Sequence, residues 1–172
     1  MTAAPVEVRR ARRQDWPRLV ELHRELARFE KMTSPDDAES GRLAAQIFEP
    51  TPANRGRAAE IEAFVAELDG RIEGLAIFWE GLGSSFRTRP FLFLEDIVVS
   101  EAARSRGVGE ALVAAIAREG VARNAMRIDW AVLDWNEGAI RFYRRLGAGA
   151  TKDWVRYCLE EQAMRALAES TR

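Results

Sequence analysis

Between the apolar run Phe91 to Val99 and a helix-forming stretch beginning Glu110-Ala111-Leu112 lies Arg104-Ser105-Arg106-Gly107-Val108-Gly109. Such a stretch could bind an anion of the pyrophosphate kind. Glycines at 107 and 109 let backbone N–H groups approach closely, the following helix contributes its positive end, and Arg104 and Arg106 add full charges. The same residues would equally make a strand-to-helix turn with solvated arginines. The apolar run is itself broken by Glu95-Asp96, two adjacent carboxylates that could accept a proton, hold a cation or pair with an arginine.

The elements needed to position these residues follow from apolar periodicity. Val6 to Arg9 alternates as a short strand, and Asp15 is placed to N-cap a helix carrying Trp16, Leu19, Val20, His23, Leu26 and Ala27 on one stripe. A short helix is expected over Ala38 to Phe48, inside a Pro- and Gly-punctuated tract, 32 to 58, that reads as a substrate-side loop. Ile61 to Leu68 and Arg71 to Trp79 read as strands joined by the turn Asp69-Gly70. Phe91 to Val99 is the central strand, buried on both faces by its composition. A helix bearing Val108, Leu112, Ala115 and Ile116 follows, then alternation from Met126 to Val132, a helix over Ala139 to Leu146 with Gly147 as C-cap, a strand over Trp154 to Leu159 and a helix over Glu161 to Ala168.

A second stretch gives the glycine loop its context: Trp135-Asn136-Glu137-Gly138-Ala139-Ile140-Arg141-Phe142-Tyr143-Arg144-Arg145-Leu146-Gly147-Ala148. An R-x-x-G-x-G loop after an apolar strand, followed by a strand, an Asn and a helix ending F-Y-x-x-x-G, resembles the GNAT superfamily of acetyl-CoA-dependent N-acetyltransferases. Phe93-Leu94-Glu95-Asp96, Trp135-Asn136-Glu137 and Ala27-Arg28-Phe29-Glu30 resemble, more narrowly, its spermidine/spermine (diamine) acetyltransferase branch. The wider resemblance spans nearly the whole chain and the narrower one is patchy. It departs from the branch over 32 to 58 and at Phe29, where better-known members have tyrosine.

The resemblance implies an α/β (α+β) fold: a mixed, mostly antiparallel sheet with a parallel pair splayed at its centre, helices on both faces, and one domain over 1–172. It implies acetyl-CoA as cofactor, held by a bulged central strand at Ile97, Val98 and Val99, by Arg104, Ser105, Arg106, Gly107, Val108 and Gly109, and by Asn136, Ala139, Tyr143 and Arg144. Glu95 becomes the general base, its pKa expected to rise through burial, and Tyr143 the acid that protonates the thiolate. Glu30, Glu95 and Asp96 would meet a small-molecule amine, with Glu80 a further candidate and Trp154 an aromatic wall for a cation. Arg87 and Arg89, near the expected mouth, oppose a polycation and favour an acceptor that also bears a carboxylate. A homodimer is implied as well. Peptide or antibiotic acceptors, and a non-catalytic acetyl-CoA-binding module, remain as alternatives; the last would not need both Glu95 and Tyr143.

Composition fits this expectation. The chain has 172 residues, 47% of them hydrophobic, with 26 Lys plus Arg against 27 Asp plus Glu. That balance gives no bulk attraction to nucleic acid or to an anionic membrane. No apolar run approaches a membrane span, the first residues lack a signal peptide's apolar core, and a cytoplasmic protein is expected. The single cysteine, Cys158, reads as a small core residue, and the single histidine, His23, as a partly buried structural one. No metal-ligand spacing is present, so no metal is expected. The basic cluster Arg9 to Arg13 reads as a solvated turn.

Overall fold

Asp69 and Gly70 both take positive φ, 54° and 74°, the geometry of a two-residue turn whose twist matches the strands it joins. The strands on either side are β2 (Ile61–Leu68) and β3 (Arg71–Ser84), paired antiparallel from Leu68↔Arg71 outward. The computed structural model describes residues 5–49, 61–84, 86–152 and 155–170. Its other elements are β1 (Glu7–Arg10), α1 (Trp16–Phe29), α2 (Asp37–Phe48), β4 (Arg87–Val99), α3 (Val108–Ala122), β5 (Ile128–Asp129), α4 (Glu137–Arg145) and α5 (Glu161–Ser170), with 3-10 turns at Arg13–Asp15 and Glu101–Ala103. The sheet runs β1-β2-β3-β4-β5, antiparallel except for the parallel pair β4 and β5. The described residues form two compact units divided after Ala131, the second holding α4 and α5. Among the described residues, no helix is long and apolar enough to cross a membrane.

Alternation assigns each strand residue to a face. Ala63, Val65, Leu75, Ile77 and Val98 pack under α1 and α2, against Leu19, Leu22, Leu43 and Ile47. Phe64, Ala66, Ala76, Phe78, Leu92 and Leu94 pack under α3, against Val108, Leu112, Ala115 and Ile116. Both faces are covered, which explains the apolar runs Ala63 to Ala66 of β2 and Pro90 to Leu94 of β4. Gly74 sets how closely α3 lies on the sheet: a Cβ there would stand 2.7 Å from Val108 Cγ1 and 2.9 Å from Leu112 Cδ1. Phe78 is fully buried at the centre, stacked on Phe64 with centroids 5.1 Å apart, and removing its ring should cost about 3–5 kcal/mol.

Several expectations are corrected. Asp15 stands at the N-cap position of α1, as expected, but its side chain makes no capping hydrogen bond to that helix. It lies in the preceding 3-10 turn, buried, accepting from Arg9 Nη1 at 2.7 Å and from the Arg12 N–H at 2.7 Å. The Arg9 hydrogen bond, acting against burial, holds the Asp15 carboxyl below its ordinary range. The cluster Arg9 to Arg13 is therefore not simply solvated. Arg9 also donates to Glu67 at 2.8 Å, Arg10 pairs with Glu62 and Glu119, and Arg13 pairs with Glu49. Arg123 at the end of α3 joins the same network through Glu62, Glu119 and Glu80, which leaves Glu80 engaged 3.3 Å from a guanidinium.

Beyond β4 the strands are shorter than their alternation suggested. Of Met126 to Val132 only Ile128–Asp129 is strand, because β5 is the sheet's edge and pairs with Leu92 and Phe93 alone. Residues 155–159 lie in no strand and are exposed, Cys158 among them, so Cys158 is not a core residue. Trp154 lies outside the described residues. Gly147 does terminate α4: at φ 88° it donates to the Arg144 carbonyl at 3.0 Å, while Ala148 N–H reaches the Tyr143 carbonyl at 3.1 Å.

Candidate active site

The register between β3 and β4 slips at one place. Ile77 faces Asp96 and Phe78 faces Leu94, which leaves Glu95 as the extra residue of a bulge. On the other side of β4, pairing with β5 stops at Phe93. From Leu94 to Val99, the stretch containing Ile97, Val98 and Val99, this edge of β4 has no strand partner among the described residues. Backbone groups directed there are available to a ligand.

Glu95 is exposed, so the burial expected of it is absent. Its Oε2 accepts from the Trp79 indole N–H at 3.0 Å. Trp79 is held in turn by stacking on Phe93, centroids 5.1 Å apart, and by an edge contact with Phe91 at 5.6 Å. An aromatic shelf thus orients a carboxylate that water and substrate can reach.

Asp96 meets the other face of the problem. Its Oδ2 lies 3.4 Å from His23 Nε2 on α1, with 26% and 25% of the two side chains exposed. Glu30, closing the end of α1, is raised above the ordinary carboxylate range by burial first and by the charge of Asp96 second, with His23 acting in the opposite direction. Glu30 and Asp96, both expected at the acceptor, are therefore brought together, and His23, read as merely structural, is brought in with them. Its signal was a lone polar residue on the apolar stripe, seven positions before Glu30 and so on the same helical face. Among the described residues, no three His, Cys, Asp or Glu side chains are placed to hold a metal ion.

The glycine loop has the geometry of an anion cradle. Ser105 and Gly107 take φ of 62° and 84°, and α3 starts at Val108 with no side chain capping it. The Ala111 N–H bonds to the Gly107 carbonyl at 2.9 Å, leaving the N–H groups of Val108, Gly109 and Glu110 as the unpaired first turn of a helix. Arg104 has no carboxylate partner among the described residues; its guanidinium lies over the Phe29 ring, 5.8 Å from the centroid. Arg106 instead pairs with Asp69 at 2.8 Å, near the surface. A cleft of about 810 Å³ adjoins the loop, lined by Arg18, Phe29, Glu73, Ser100 and Arg104 among others. These uncapped donors and the free guanidinium suit a pyrophosphate.

Arg89, expected near the mouth, donates to the carbonyls of Asn124 at 3.0 Å and Ala125 at 3.1 Å, so its charge is tied to the end of α3. The Arg87 side chain lies outside what is described. In the second unit, Asn136 Oδ1 accepts from the Ala139 N–H at 3.1 Å and caps α4. Tyr143 is buried on that helix, its ring 5.2 Å from Phe142, and Arg144 is exposed in the last turn.

Residues 16–148 match the model of the acetyltransferase (GNAT) family. The chain belongs to that family. This GNAT protein is 30% identical to thialysine N-epsilon-acetyltransferase of Bos taurus, over 95% of this chain and 97% of the relative, and 30% identical to that of Mus musculus, over 96% and 98%. These relatives agree with the expected diamine acetyltransferase branch. An L-ornithine N5-acetyltransferase of Arabidopsis thaliana is 33% identical over 56% of this chain and 42% of its own. Among solved structures, an integron cassette protein of V. cholerae aligns with a TM-score of 0.76 at 22% identity, covering 95% of this chain and 98% of that one. An aminoglycoside N-acetyltransferase in complex with CoA aligns at 0.73 and 21% identity, covering 91% and 96%. The mixed sheet is thus a GNAT fold, and the protein is an acetyl-CoA-dependent N-acetyltransferase.

Proposed function

We propose that this GNAT enzyme acetylates a primary amine of a small molecule carrying a second charged group: a diamine, a polyamine or an amino acid of the thialysine kind. The observation that carries this reading is the gathering of Glu30 and Asp96 beside His23, with Glu30 raised by burial and by its neighbour's charge. A bound cation would offset the burial and the neighbouring charge that disfavour the ionised Glu30. The similarity to proteins named for thialysine and ornithine acetylation supports the reading.

Acetyl-CoA supplies the acetyl group as a thioester. Its pyrophosphate is assigned to the Arg104 side chain and to the backbone of Ser105, Arg106, Gly107, Val108 and Gly109, the Arg106 guanidinium being paired with Asp69, and its pantetheine to the open edge at Ile97, Val98 and Val99 and to Asn136, Ala139 and Arg144. Glu95 takes a proton from the acceptor ammonium, directly or through one water. The freed nitrogen forms the C–N bond as the C–S bond breaks, Tyr143 gives its phenol proton to the departing thiolate, and the second proton shed by the acylated nitrogen passes through water to restore the phenol. An ordinary phenol, with a pKa of about 10, keeps that proton until the thiolate forms. Trp154, by its residue type, is kept as the aromatic wall for the cation.

The same reading takes the protein as a cytoplasmic homodimer. Val155, Tyr157 and Leu159 alternate with Arg156, Cys158 and Glu160 in strand fashion while exposed, which suits pairing with a second copy. The function is tested by acetyl-CoA-dependent thiol release across diamines, polyamines, thialysine-like amino acids, aminoglycosides and peptides, with products identified by mass. Turnover concentrated on small amines with a second charge is expected; turnover confined to peptides or aminoglycosides, or silence with intact acetyl-CoA binding, overturns the acceptor.

A further inference from the structure

We infer that His23 is a specificity-determining residue of the acceptor site, its proton competing with the acceptor's ammonium for Asp96 and Glu30; the inference rests on the acceptor reading above. Its Nε2 lies 3.4 Å from Asp96 Oδ2, and both side chains are about one-quarter exposed, 25% and 26%, so the pair borders accessible space rather than core. Glu30 stands two helical turns further along the same face of α1 and feels both His23 and Asp96.

From the loop before α3, Arg104 lies over the Phe29 ring, 5.8 Å from its centroid, and Arg28 of α1 shares the cleft beside it, so both add fixed positive charge near Glu30; several other charges around α1 have partners of their own. On α1 itself, Arg18 bonds Glu21 and the Ile72 carbonyl, and Arg24 pairs with Asp37 of α2. From β3, Glu73 is taken by Ser100 and Arg18. From the turn before α1, Asp15 is held by Arg9, and Arg13 pairs with Glu49. Asp96 from β4 and Glu30 from α1 are left as the carboxylates set against His23.

Neutral imidazole donating from Nε2 orients Asp96 and leaves its second oxygen for an ammonium. Protonated imidazole supplies the positive charge that the acceptor would otherwise supply. The two cations are then linked reciprocally: whatever a bound diammonium does to the proton affinity of His23, protonation does to the affinity for the diammonium. Histidine changes charge within the working range of most enzymes, so the enzyme should select against polycationic acceptors as the medium acidifies, by an effect on acceptor KM and not on acetyl-CoA KM.

His23 is the one histidine of the chain, so its Cε1 proton gives an isolated NMR resonance. With saturating 1,4-diaminobutane and no acetyl-CoA, its titration midpoint should fall by about half a pH unit or more. In kinetics, the acceptor KM of the wild type should climb several-fold more between about pH 8 and pH 6 than that of His23→Gln, which keeps a donor but cannot carry charge. His23→Asn serves the same comparison should the first variant fold poorly. Turnover of diamines with an unmoved midpoint, or with superimposable KM profiles, overturns the role of His23 and leaves the acceptor reading intact. Failure to turn over any charged small amine overturns the acceptor reading, and this inference with it.

Discussion

The cluster of Arg9, Arg10 and Arg123 and the single Arg104 belong to different parts of the first unit, and the carboxylates around them separate their roles. Arg9, Arg10 and Arg123 are met by Asp15, Glu67, Glu62 and Glu119, and the hydrogen bonds they donate to Asp15 and Glu62 hold the guanidinium pKa values of Arg9 and Arg123 above their usual range. Arg104 meets an aromatic ring and an uncapped helix start, with no carboxylate among the described residues. The paired set welds β1, β2 and α3 together. The unpaired one keeps its charge for a ligand. A basic residue is structural or functional according to what the fold brings to it, which neighbouring sequence does not state.

The comparison breaks if stability and ligand binding fail to separate. Arg9→Ala leaves the buried Asp15 without its main partner and should destabilise the protein by on the order of 3 kcal/mol, seen in denaturant melts, with acetyl-CoA affinity unchanged. Asp15 is held below its ordinary range, so its stabilising share is present above about pH 4 and is lost as pH falls through its lower folded value. The variant should therefore lose part of the acid-side slope of stability against pH. Arg104→Ala should leave the melt unchanged and weaken acetyl-CoA binding by calorimetry roughly tenfold to a hundredfold, the worth of a charge-assisted hydrogen bond.

Smaller effects sharpen the contrast. Glu30 is raised, so its favourable share is complete below the unfolded carboxylate value and is lost as pH rises through the raised folded one. Glu30→Gln should thus stabilise the protein at neutral pH by roughly 0.5 kcal/mol, an advantage that shrinks on acidification in parallel melts. Arg106→Ala removes a near-surface pair with Asp69 and should change acetyl-CoA affinity less than about twofold, although it belongs to the same loop as Arg104.

Legibility in the sequence followed how local the cause was. The turn at Asp69-Gly70, the stripe of α3 and the stop at Gly147 depend on residues within a few positions, and each formed as its sequence implies. The exposure of Glu95 depends on a register slip against Ile77 and Phe78 and on β5 leaving β4 after Phe93, neither of which is written in β4. Asp15 has the chemistry of a helix cap, but Arg9, six positions earlier, claims its carboxylate once β1 turns back. Residues 155–159 carry strand alternation without a strand to pair with in the described residues, and a period cannot supply a partner. His23 was discounted because a single polar residue on a stripe is ordinary; its meaning came from Asp96, which only folding sets beside it.

The account assigns acetyl-CoA to Arg104 and the amine to Glu30, two charges of opposite sign beside Phe29, and two-substrate initial-rate kinetics of Arg104→Ala beside Glu30→Gln test this most directly. Crossed behaviour is predicted: the first variant raises KM for acetyl-CoA alone and the second raises KM for the amine alone. Both variants raising the same KM, or Glu30→Gln matching the wild type for every amine, would contradict it.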